Sequence, residues 1–267
     1  MLNFLHISDT HISVDPTIGS HELFAAAPHP NRSAEALVEV IRQLPFQIDF
    51  ILHTGDVCAD PLPENYRLAL EILRRLEQPL ILLPGNHDSL DLMREILSEG
   101  GRRRVMGDGH ITIKGYHLLS IDGSGADNPL APTLTEEQIA RFAAAASRTQ
   151  DEPILVAAHY PFIRTGVPWI DDQSRVQNGE RIHDILVRHR GQVAGVFFGH
   201  IHQAAVSVCD GVAYVCSPSA WSNFAGYPGM ESAEADLGTP SGFNLVMIRG
   251  NRSFIRRFFT PAKDPPG

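Results

Sequence analysis

The alternation of short apolar runs with amphipathic stretches is the feature that most constrains the fold of this chain. Six runs have the length of buried strands rather than of buried helices. They lie at residues 4–7, 50–53, 80–83, 117–121, 154–158 and 193–198. Helical patterns lie between several of them, at residues 33–44, 63–77, 135–148 and 182–189. This alternation predicts an α/β fold in which layers of helices pack outside a sheet.

Local signals mark where three of these helices begin. Pro63 is a favourable first helical residue. Thr135 and Gln138 have the spacing of a capping box, and Asn178 can cap the helix that follows it.

The last third of the chain has a different pattern. Residues 206–208, 212–216, 243–248 and 253–258 are strand-like, with no helix between them. They predict a second, more antiparallel sheet. No linker divides the sequence, so we expect one domain over residues 1–267.

Composition excludes several classes of protein. With 31 acidic and 22 basic residues the net charge is −9, which argues against a general nucleic-acid surface. Three cysteines without a Cys-x-x-Cys pair favour a reducing compartment over a disulfide framework. No signal-peptide pattern is readable, and no apolar run approaches the ~20 residues of a membrane span. We therefore expect a cytoplasmic protein without a membrane span.

Polar residues follow five of the apolar runs directly, where a core could not accommodate them. These residues are Asp9 and His11, Gly55 and Asp56, Gly85, Asn86, His87 and Asp88, His159, and Gly199, His200 and His202. Ligands of open α/β sheets gather at this edge. In extended chain, residues two apart point the same way, so each i, i+2 pair can present two donors to one place. The glycines permit sharp turns and close approach of the backbone.

Seven of these side chains form a mixed nitrogen and oxygen donor set. Carboxylate, imidazole and amide donors suit Mn, Fe, Zn, Co or Ni rather than Ca or Cu(I). Seven donors exceed the needs of one ion, and two ions that share a carboxylate fit better. Two divalent ions with only Asp9 and Asp56 as anionic ligands would leave about two units of positive charge, which attracts phosphate and acidifies a shared water.

Taken in order, these five blocks resemble the signature of the calcineurin-like metallophosphoesterases, over residues 5–202. The resemblance implies a four-layer α/β/β/α sandwich of two mixed sheets flanked by helices. It also implies two divalent transition metal ions, Mn, Fe or Zn, and attack on a phosphoester by a hydroxide that bridges them. The implied ligands are Asp9, His11 and His202 for one ion, Asn86, His159 and His200 for the other, and Asp56 between them. His87 would contact the phosphate, together with Asn86, and assist the leaving group, steered by Asp88.

Further motifs indicate the kind of ester. Asp-Thr-His at residue 9, Gly-Asn-His-Asp at residue 85, His-x-Pro at residue 159 and Ser-Pro-Ser at residue 217 resemble the class III cyclic-nucleotide phosphodiesterases and their glycerophosphodiesterase relatives. Tyr160-Pro161-Phe162 departs from the more usual His-Pro-Pro, and the first loop, 13–32, is longer than expected. The expected substrate is a small phosphodiester. A phosphomonoesterase and a non-catalytic scaffold of the same fold remain alternatives.

Other residues carry weaker expectations. His6 and His53 lie within strands and are expected in the core, as is Cys58. Six histidines without a motif are expected at the surface or at edges: His21, His29, His110, His117, His183 and His189. The Arg102–104 run is expected to be a solvated turn. Four aromatic residues could line a substrate pocket or the core: Phe162, Trp169, Trp221 and Tyr227. The long loop 219–242 is a candidate active-site loop or homodimer contact.

Overall fold

The structure, a computed structural model, describes residues 1–18, 27–98 and 100–260. Its helices are α1 (Pro30–Arg42), α2 (Pro63–Leu73), α3 (Leu90–Leu97), α4 (Glu136–Ser147), α5 (Pro168–Gln173) and α6 (Glu180–Arg188). The strands are β1 (Leu2–Ile7), β2 (Phe50–His53), β3 (Leu80–Leu82), β4 (Arg103–Val105), β5 (Gly109–Ile113), β6 (Tyr116–Ile121), β7 (Ile154–Ala158), β8 (Val193–Phe198), β9 (Val206–Cys209), β10 (Val212–Cys216), β11 (Asn223–Phe224), β12 (Ala235–Asp236), β13 (Gly242–Arg249) and β14 (Arg252–Phe259).

Two mixed sheets of six strands form the centre of the molecule. The first has the order β14-β13-β1-β2-β3-β4, in which β1 to β4 are parallel, β13 is antiparallel to β1, and β14 is antiparallel to β13. The second has the order β5-β6-β7-β8-β10-β9, with parallel strands inside and the antiparallel strands β5 and β9 at its edges.

Three apolar clusters define the layers. One lies between the sheets and joins residues of both, such as Phe4 and Phe50 from the first and Phe197 from the second. The Phe4 ring stacks on Phe50 at 4.8 Å and meets Phe197 edge-on at 5.2 Å. The other two clusters pack α1, α2 and α3 on the outer face of the first sheet, and α4, α5 and α6 on that of the second. The expected four-layer α/β/β/α sandwich is confirmed.

The local signals agree with the structure in two of three cases. Pro63 is the first residue of α2, and Thr135 and Gln138 form the capping box of α4. The cap expected from Asn178 is wrong, because Gly179 is the N-cap of α6. The Asn178 side chain instead accepts a hydrogen bond from the Leu134 N–H and donates one to the Leu134 carbonyl, which ties two loops together.

The expected separate antiparallel sheet in the last third is also wrong. Strands β9 and β10 extend the second sheet, whereas β13 and β14 extend the first. Each pair forms backbone hydrogen bonds with an edge of a sheet already present, whereas an isolated two-stranded hairpin is marginally stable. The Arg102–104 run is not only a turn, since Arg103–Val105 forms β4 and pairs parallel with β3.

Candidate metal centre

All five polar blocks lie at the carboxyl ends of parallel strands. They follow β1, β2 and β3 of the first sheet and β7 and β8 of the second. Backbone hydrogen bonds join the turns within each sheet: the Asp9 N–H donates to the Gly55 carbonyl at 3.0 Å, and the Gly199 N–H to the His159 carbonyl at 3.0 Å. The two sheets thus bring their polar turns to one shared edge, as is typical of α/β folds.

Six of the seven predicted donors form two buried groups that share one carboxylate. The first group is Asp9, His11, Asp56 and His202, and the second is Asp56, His159 and His200. In each group the donor atoms all lie within 4.8 Å of one another. The seventh donor, Asn86, places its Oδ1 3.2 Å from His159 Nε2, at the second group.

Asp56 Oδ2 is the atom at which the groups meet. It lies 3.6 Å from His11 Nε2 in the first group and 3.3 Å from His159 Nε2 in the second. In the first group, His202 Nε2 is 3.4 Å from Asp9 Oδ1 and 3.2 Å from His11 Nε2. One carboxylate oxygen therefore faces histidines of both groups.

The backbone at these donors is left-handed, which the sequence did not indicate. Asp9, His11 and Asp56 have φ values of 57°, 46° and 53°. His200 and His202 have values of 65° and 48°. The expectation that each i, i+2 pair shares a direction because its chain is extended is wrong, since left-handed turns bring the pairs together. Such strain at non-glycine residues typically clusters at functional sites.

Glycines make room for the donors, as expected. A Cβ on Gly85 would lie 2.1 Å from Asp56 Oδ1, and one on Gly199 would lie 2.7 Å from Asp9 Oδ2. Gly55 has a φ of 106°, and a Cβ there would lie 2.5 Å from His159 Nδ1. Each glycine thus permits a donor to approach the backbone closely.

Hydrogen bonds behind the rings fix which nitrogen faces the centre. Nδ1–H of His159 donates to the Thr54 carbonyl at 2.7 Å, and Nδ1–H of His202 to the Ser222 carbonyl at 2.7 Å. Both rings therefore turn Nε2 toward the centre. His200 is reversed, because its Nε2–H donates to the Leu130 carbonyl at 3.0 Å and leaves Nδ1 to face inward. Such backing bonds are typical of metal-binding histidines.

Burial and neighbouring charges shift the acidities of these groups. Burial lowers the pKa of His11 to about 3, and burial together with His159 does the same for His200. Burial also acts to lower the pKa of His159, but the Asp56 carboxylate outweighs it and raises the pKa to about 9. Burial would raise the pKa of Asp56, yet His159 holds it well below its usual value. The imidazole of His159 and the carboxylate of Asp56 thus each favour the charged form of the other.

Metal ions would satisfy the donor atoms of this cluster better than hydrogen bonds among the same residues do. Asp9 Oδ2 is buried without a hydrogen-bond partner among the described residues. The facing Nε2 atoms of His11 and His202 share at most one proton between them. A buried acceptor without a donor is costly, and a cation of N/O preference would satisfy these atoms at once.

His87 lies at the mouth of the centre, and Asp88 does not hold its ring. The exposed His87 ring lies 4.9 Å from that of His11, and its Nδ1–H donates to the Ala59 carbonyl at 2.7 Å. Asp88 instead accepts hydrogen bonds from three N–H groups and a hydroxyl, those of Val57, Cys58, Gly85 and Tyr66. The expectation that Asp88 steers the ring is corrected: Asp88 fixes the two loops that carry Asp56 and His87. Burial and the Asp56 charge raise its pKa to about 6.

The residues around the centre divide between core and loop. His6 and His53 are buried beneath it, bonded to Thr54 and Thr10 respectively, and Cys58 is buried as expected. Phe162 and Trp169 belong to the core, whereas Tyr227 is exposed. The Trp221 ring lies 5.4 Å from that of His11, and its Nε1–H donates to the Pro28 carbonyl.

Some of the remaining expectations for histidines differ from the structure or lie outside its described residues. His117 and His183 were expected at the surface or at an edge but are buried. Of the loop 13–32, residues 19–26, with His21, lie outside the described residues.

Two supporting groups were missed or not understood from sequence. Tyr66 of α2 donates to Asp88 and accepts from the Ser89 N–H at 2.7 Å, which links that helix to the site. Ser219 of the Ser-Pro-Ser motif donates to the Asp9 carbonyl and accepts from the Trp221 and Ser222 N–H groups. The serine motif was visible in the sequence, but its role as a brace beneath Asp9 was not. The sequence indicated Tyr66 only as a member of the apolar face of its helix.

A two-sheet sandwich with a buried His/Asp cluster at its strand ends, and Asn86 beside it, has the architecture of a metal-dependent phosphoesterase. The chain belongs to the calcineurin-like phosphoesterase family, whose model matches residues 2–204. Proteins of this family use a dinuclear metal centre. No helix in the described part of the chain is long and apolar enough to cross a membrane.

Individual relatives point in the same direction. A 3',5'-cyclic-nucleotide phosphodiesterase of Nostoc sp. is 29% identical over 215 residues, which is 80% of this chain and 77% of the relative. The glycerophosphodiester phosphodiesterase GpdQ of Enterobacter lignolyticus is 29% identical over 212 residues, 76% of this chain and 71% of the relative. A dimetal phosphatase from Danio rerio shares the fold, with a TM-score of 0.65 at 14% identity, over 95% of this chain and 98% of that one.

Proposed function

We propose that this protein hydrolyses small phosphodiesters at a centre of two divalent transition metal ions. The observation that carries the proposal is Asp56 Oδ2, which faces His11 on one side and His159 on the other. In the proposal, Asp9, His11 and His202 hold one ion, Asn86, His159 and His200 hold the other, and Asp56 bridges them. When bound, the ions supply positive charge for the phosphoryl oxygens and acidify a water for the attack. Mn, Fe and Zn all suit this donor set.

The protein residues have separate tasks in this reaction. His87, exposed beside His11, binds the phosphate as an imidazolium and gives its Nε2 proton to the leaving oxygen, while Nδ1–H stays bonded to the Ala59 carbonyl. Asn86 contacts the phosphate from the side of the second donor group. Asp88 is a positioning residue, because it fixes the backbone of both loops rather than touching the substrate. Esters with an alkoxide leaving group benefit most from such an acid, because an alkoxide is a poor leaving group.

The relatives and the surroundings of the centre support the proposed substrate class. The relative from Nostoc sp. is a cyclic-nucleotide phosphodiesterase and that from Enterobacter lignolyticus is a glycerophosphodiester phosphodiesterase, and we propose one of these substrate classes for this chain. The buried Trp221 ring packs beside His11, so the loop that carries it borders the centre. The loop 219–242 that carries it is therefore the proposed specificity loop, and its role as a homodimer contact stays a prediction.

Two further proposals concern the whole chain. We propose one domain over 1–267, supported by β10, β13 and β14, which follow the matched residues and complete the same two sheets. We also propose a cytoplasmic location, supported by three cysteines that are all free, of which Cys58 and Cys216 are buried.

A substrate panel tests the function. Enzyme loaded with Mn²⁺, and separately with Zn²⁺ or Fe²⁺, is assayed on cyclic nucleotides, glycerophosphodiesters and matched monoesters. We expect diesters to give the higher kcat/KM, Asp56→Asn to abolish turnover, and the exposed-site control Asp151→Asn to leave it unchanged. Preference for monoesters would identify a phosphomonoesterase instead. Absence of turnover on every ester, with metal bound, would support a scaffold.

A further inference from the structure

A second cluster of metal-binding side chains lies outside the centre described above. It consists of His183, Cys209 and Asp210. His183 is a buried residue of α6, Cys209 ends β9, and Asp210 opens the turn to β10. Nothing in the proposed reaction uses these residues.

The topology places this cluster at the opposite end of the second sheet from His200. Strand β10 runs parallel to β8, with Cys216 beside Phe198 at the carboxyl ends. His200 follows Phe198, whereas Cys209 pairs with Val212 at the start of β10. The cluster is therefore separated from the predicted dinuclear centre by the length of a strand.

The turn that carries Asp210 is fixed by its backbone. Asp210 and Gly211 form the two-residue connection between β9 and β10, with φ values of 48° and 83°. An Asp-Gly pair with both φ values positive is the preferred turn of a two-residue hairpin. The hairpin thus holds the Cys209 sulfur and the Asp210 carboxylate at a defined distance, and α6 brings His183 to them.

The three donor atoms have the spacing of a tetrahedral zinc site. His183 Nε2 lies 3.6 Å from Cys209 Sγ and 3.0 Å from Asp210 Oδ2, and the sulfur lies 3.7 Å from the same oxygen. Zinc bonds to sulfur, nitrogen and oxygen at tetrahedral angles would separate sulfur from either lighter atom by about 3.5 Å, and nitrogen from oxygen by about 3.3 Å. All three distances lie within about 0.4 Å of these values.

The surroundings support this interpretation over a simple hydrogen-bonded trio. In a hydrogen-bonded trio, one proton on His183 Nε2 would be donated to Asp210. The Cys209 sulfur would then face that nitrogen and that oxygen as only a weak hydrogen-bond donor. On the other side of the ring, His183 Nδ1 is 2.7 Å from the hydroxyl of the buried Tyr214. A hydroxyl that accepts from Nδ1–H holds the Nε2 lone pair toward the other two donors, as the groups behind metal-bound histidines do.

We propose that His183, Cys209 and Asp210 form a third metal site, a thiolate site for Zn²⁺ that clips the β9–β10 hairpin to α6. Sulfur selects Zn²⁺ over Mn²⁺, which prefers oxygen, so the two kinds of site differ in metal. The fourth position is open to water, because the Asp210 side chain is 67% exposed. The site stabilises the edge of the second sheet and takes no part in hydrolysis.

Cobalt substitution tests this site without any activity measurement. Co²⁺ bound to a thiolate gives a sulfur-to-metal charge-transfer band in the near ultraviolet, and the dinuclear centre contains no thiolate. We expect the full chain to show this band, Cys209→Ser to lack it, and Asp56→Asn to keep it. The last variant separates this proposal from the proposed function, since it impairs only the other centre.

Two further measurements test the proposed zinc site independently of the cobalt spectrum. Asp210→Asn should weaken Zn²⁺ binding at least about tenfold, since even groups behind the ligands account for 10–100-fold. The exposed-residue control Asp184→Asn, on the same helix, should not. Zn²⁺ should also protect Cys209, the least buried cysteine, from alkylation. A full chain without the band at saturating Co²⁺, or a band that persists in Cys209→Ser, would overturn the proposal.

Discussion

Replacing His87 by alanine tests whether His87 is the general acid that protonates the leaving group. The His87 ring is exposed, and the hydrogen bond that it donates to the Ala59 carbonyl can be replaced by water. We therefore expect a loss of folding stability below the ~1 kcal/mol of a typical buried hydrogen bond, and unchanged metal content. A positioned acid contributes roughly 10²–10⁴-fold to rate. For substrates with alkoxide leaving groups, kcat should fall by about this factor in His87→Ala.

The leaving group separates protonation from binding. For bis(p-nitrophenyl) phosphate, whose leaving group needs little protonation, the loss should be less than about tenfold. Rates are measured on a cyclic nucleotide, a glycerophosphodiester and the nitrophenyl diester, with His189→Ala as the matched histidine control. Equal losses on all three substrates would refute the acid role and leave phosphate positioning. No loss on any of them would remove His87 from the reaction.

Three other changes give independent tests. Gly85→Ala keeps every donor but places a Cβ 2.1 Å from Asp56 Oδ1, so its metal content should be reduced. The control Gly191→Ala, which has open space around it, should have normal metal content. Equal metal content in the two variants would contradict the packing argument. Shortening the 219–242 loop, which borders the centre through Trp221, should raise KM for a cyclic nucleotide more than KM for a small diester without a base. Equal changes in the two KM values would place substrate choice elsewhere. Burial lowers the pKa of His6 to about 3, so between pH 6.5 and 3 the unfolded chain binds a proton that the folded chain does not. The free energy of unfolding should therefore rise with pH by up to about 1.4 kcal/mol per unit from this residue, and denaturant titrations of His6→Gln should show a shallower slope; an unchanged slope would contradict the assignment.

The layers and the members of the candidate site were predictable from sequence because they depend on local signals. Buried strands such as β7 and β8 read as continuous apolar runs, and the motif residues follow them directly. The pairing of the last strands was not predictable, because β9 and β13 carry no mark of which sheet they join. That choice depends on which apolar face is left uncovered, which is a property of the assembled sheets.

The geometry within the site was predicted less well than its membership. Left-handed backbone at Asp9 and His200 contradicts local preference and persists only because surrounding hydrogen bonds impose it. The role of Asp88 was misassigned for a similar reason, since its partners come from the turns at Val57 and Gly85, which are distant in sequence. The cluster at His183 was missed because it joins a helix to a hairpin without a motif at either.

Metal analysis of chains with and without Asp56 tests the central claim most directly. The measurement uses protein saturated with Mn²⁺, in a Cys209→Ser background so that no thiolate site contributes. Two ions per chain are expected with Asp56 present, and loss of both is expected in Asp56→Ala, because one oxygen faces donors of both groups. Two ions retained without Asp56, or a single ion supporting full activity with Asp56 present, would contradict the account.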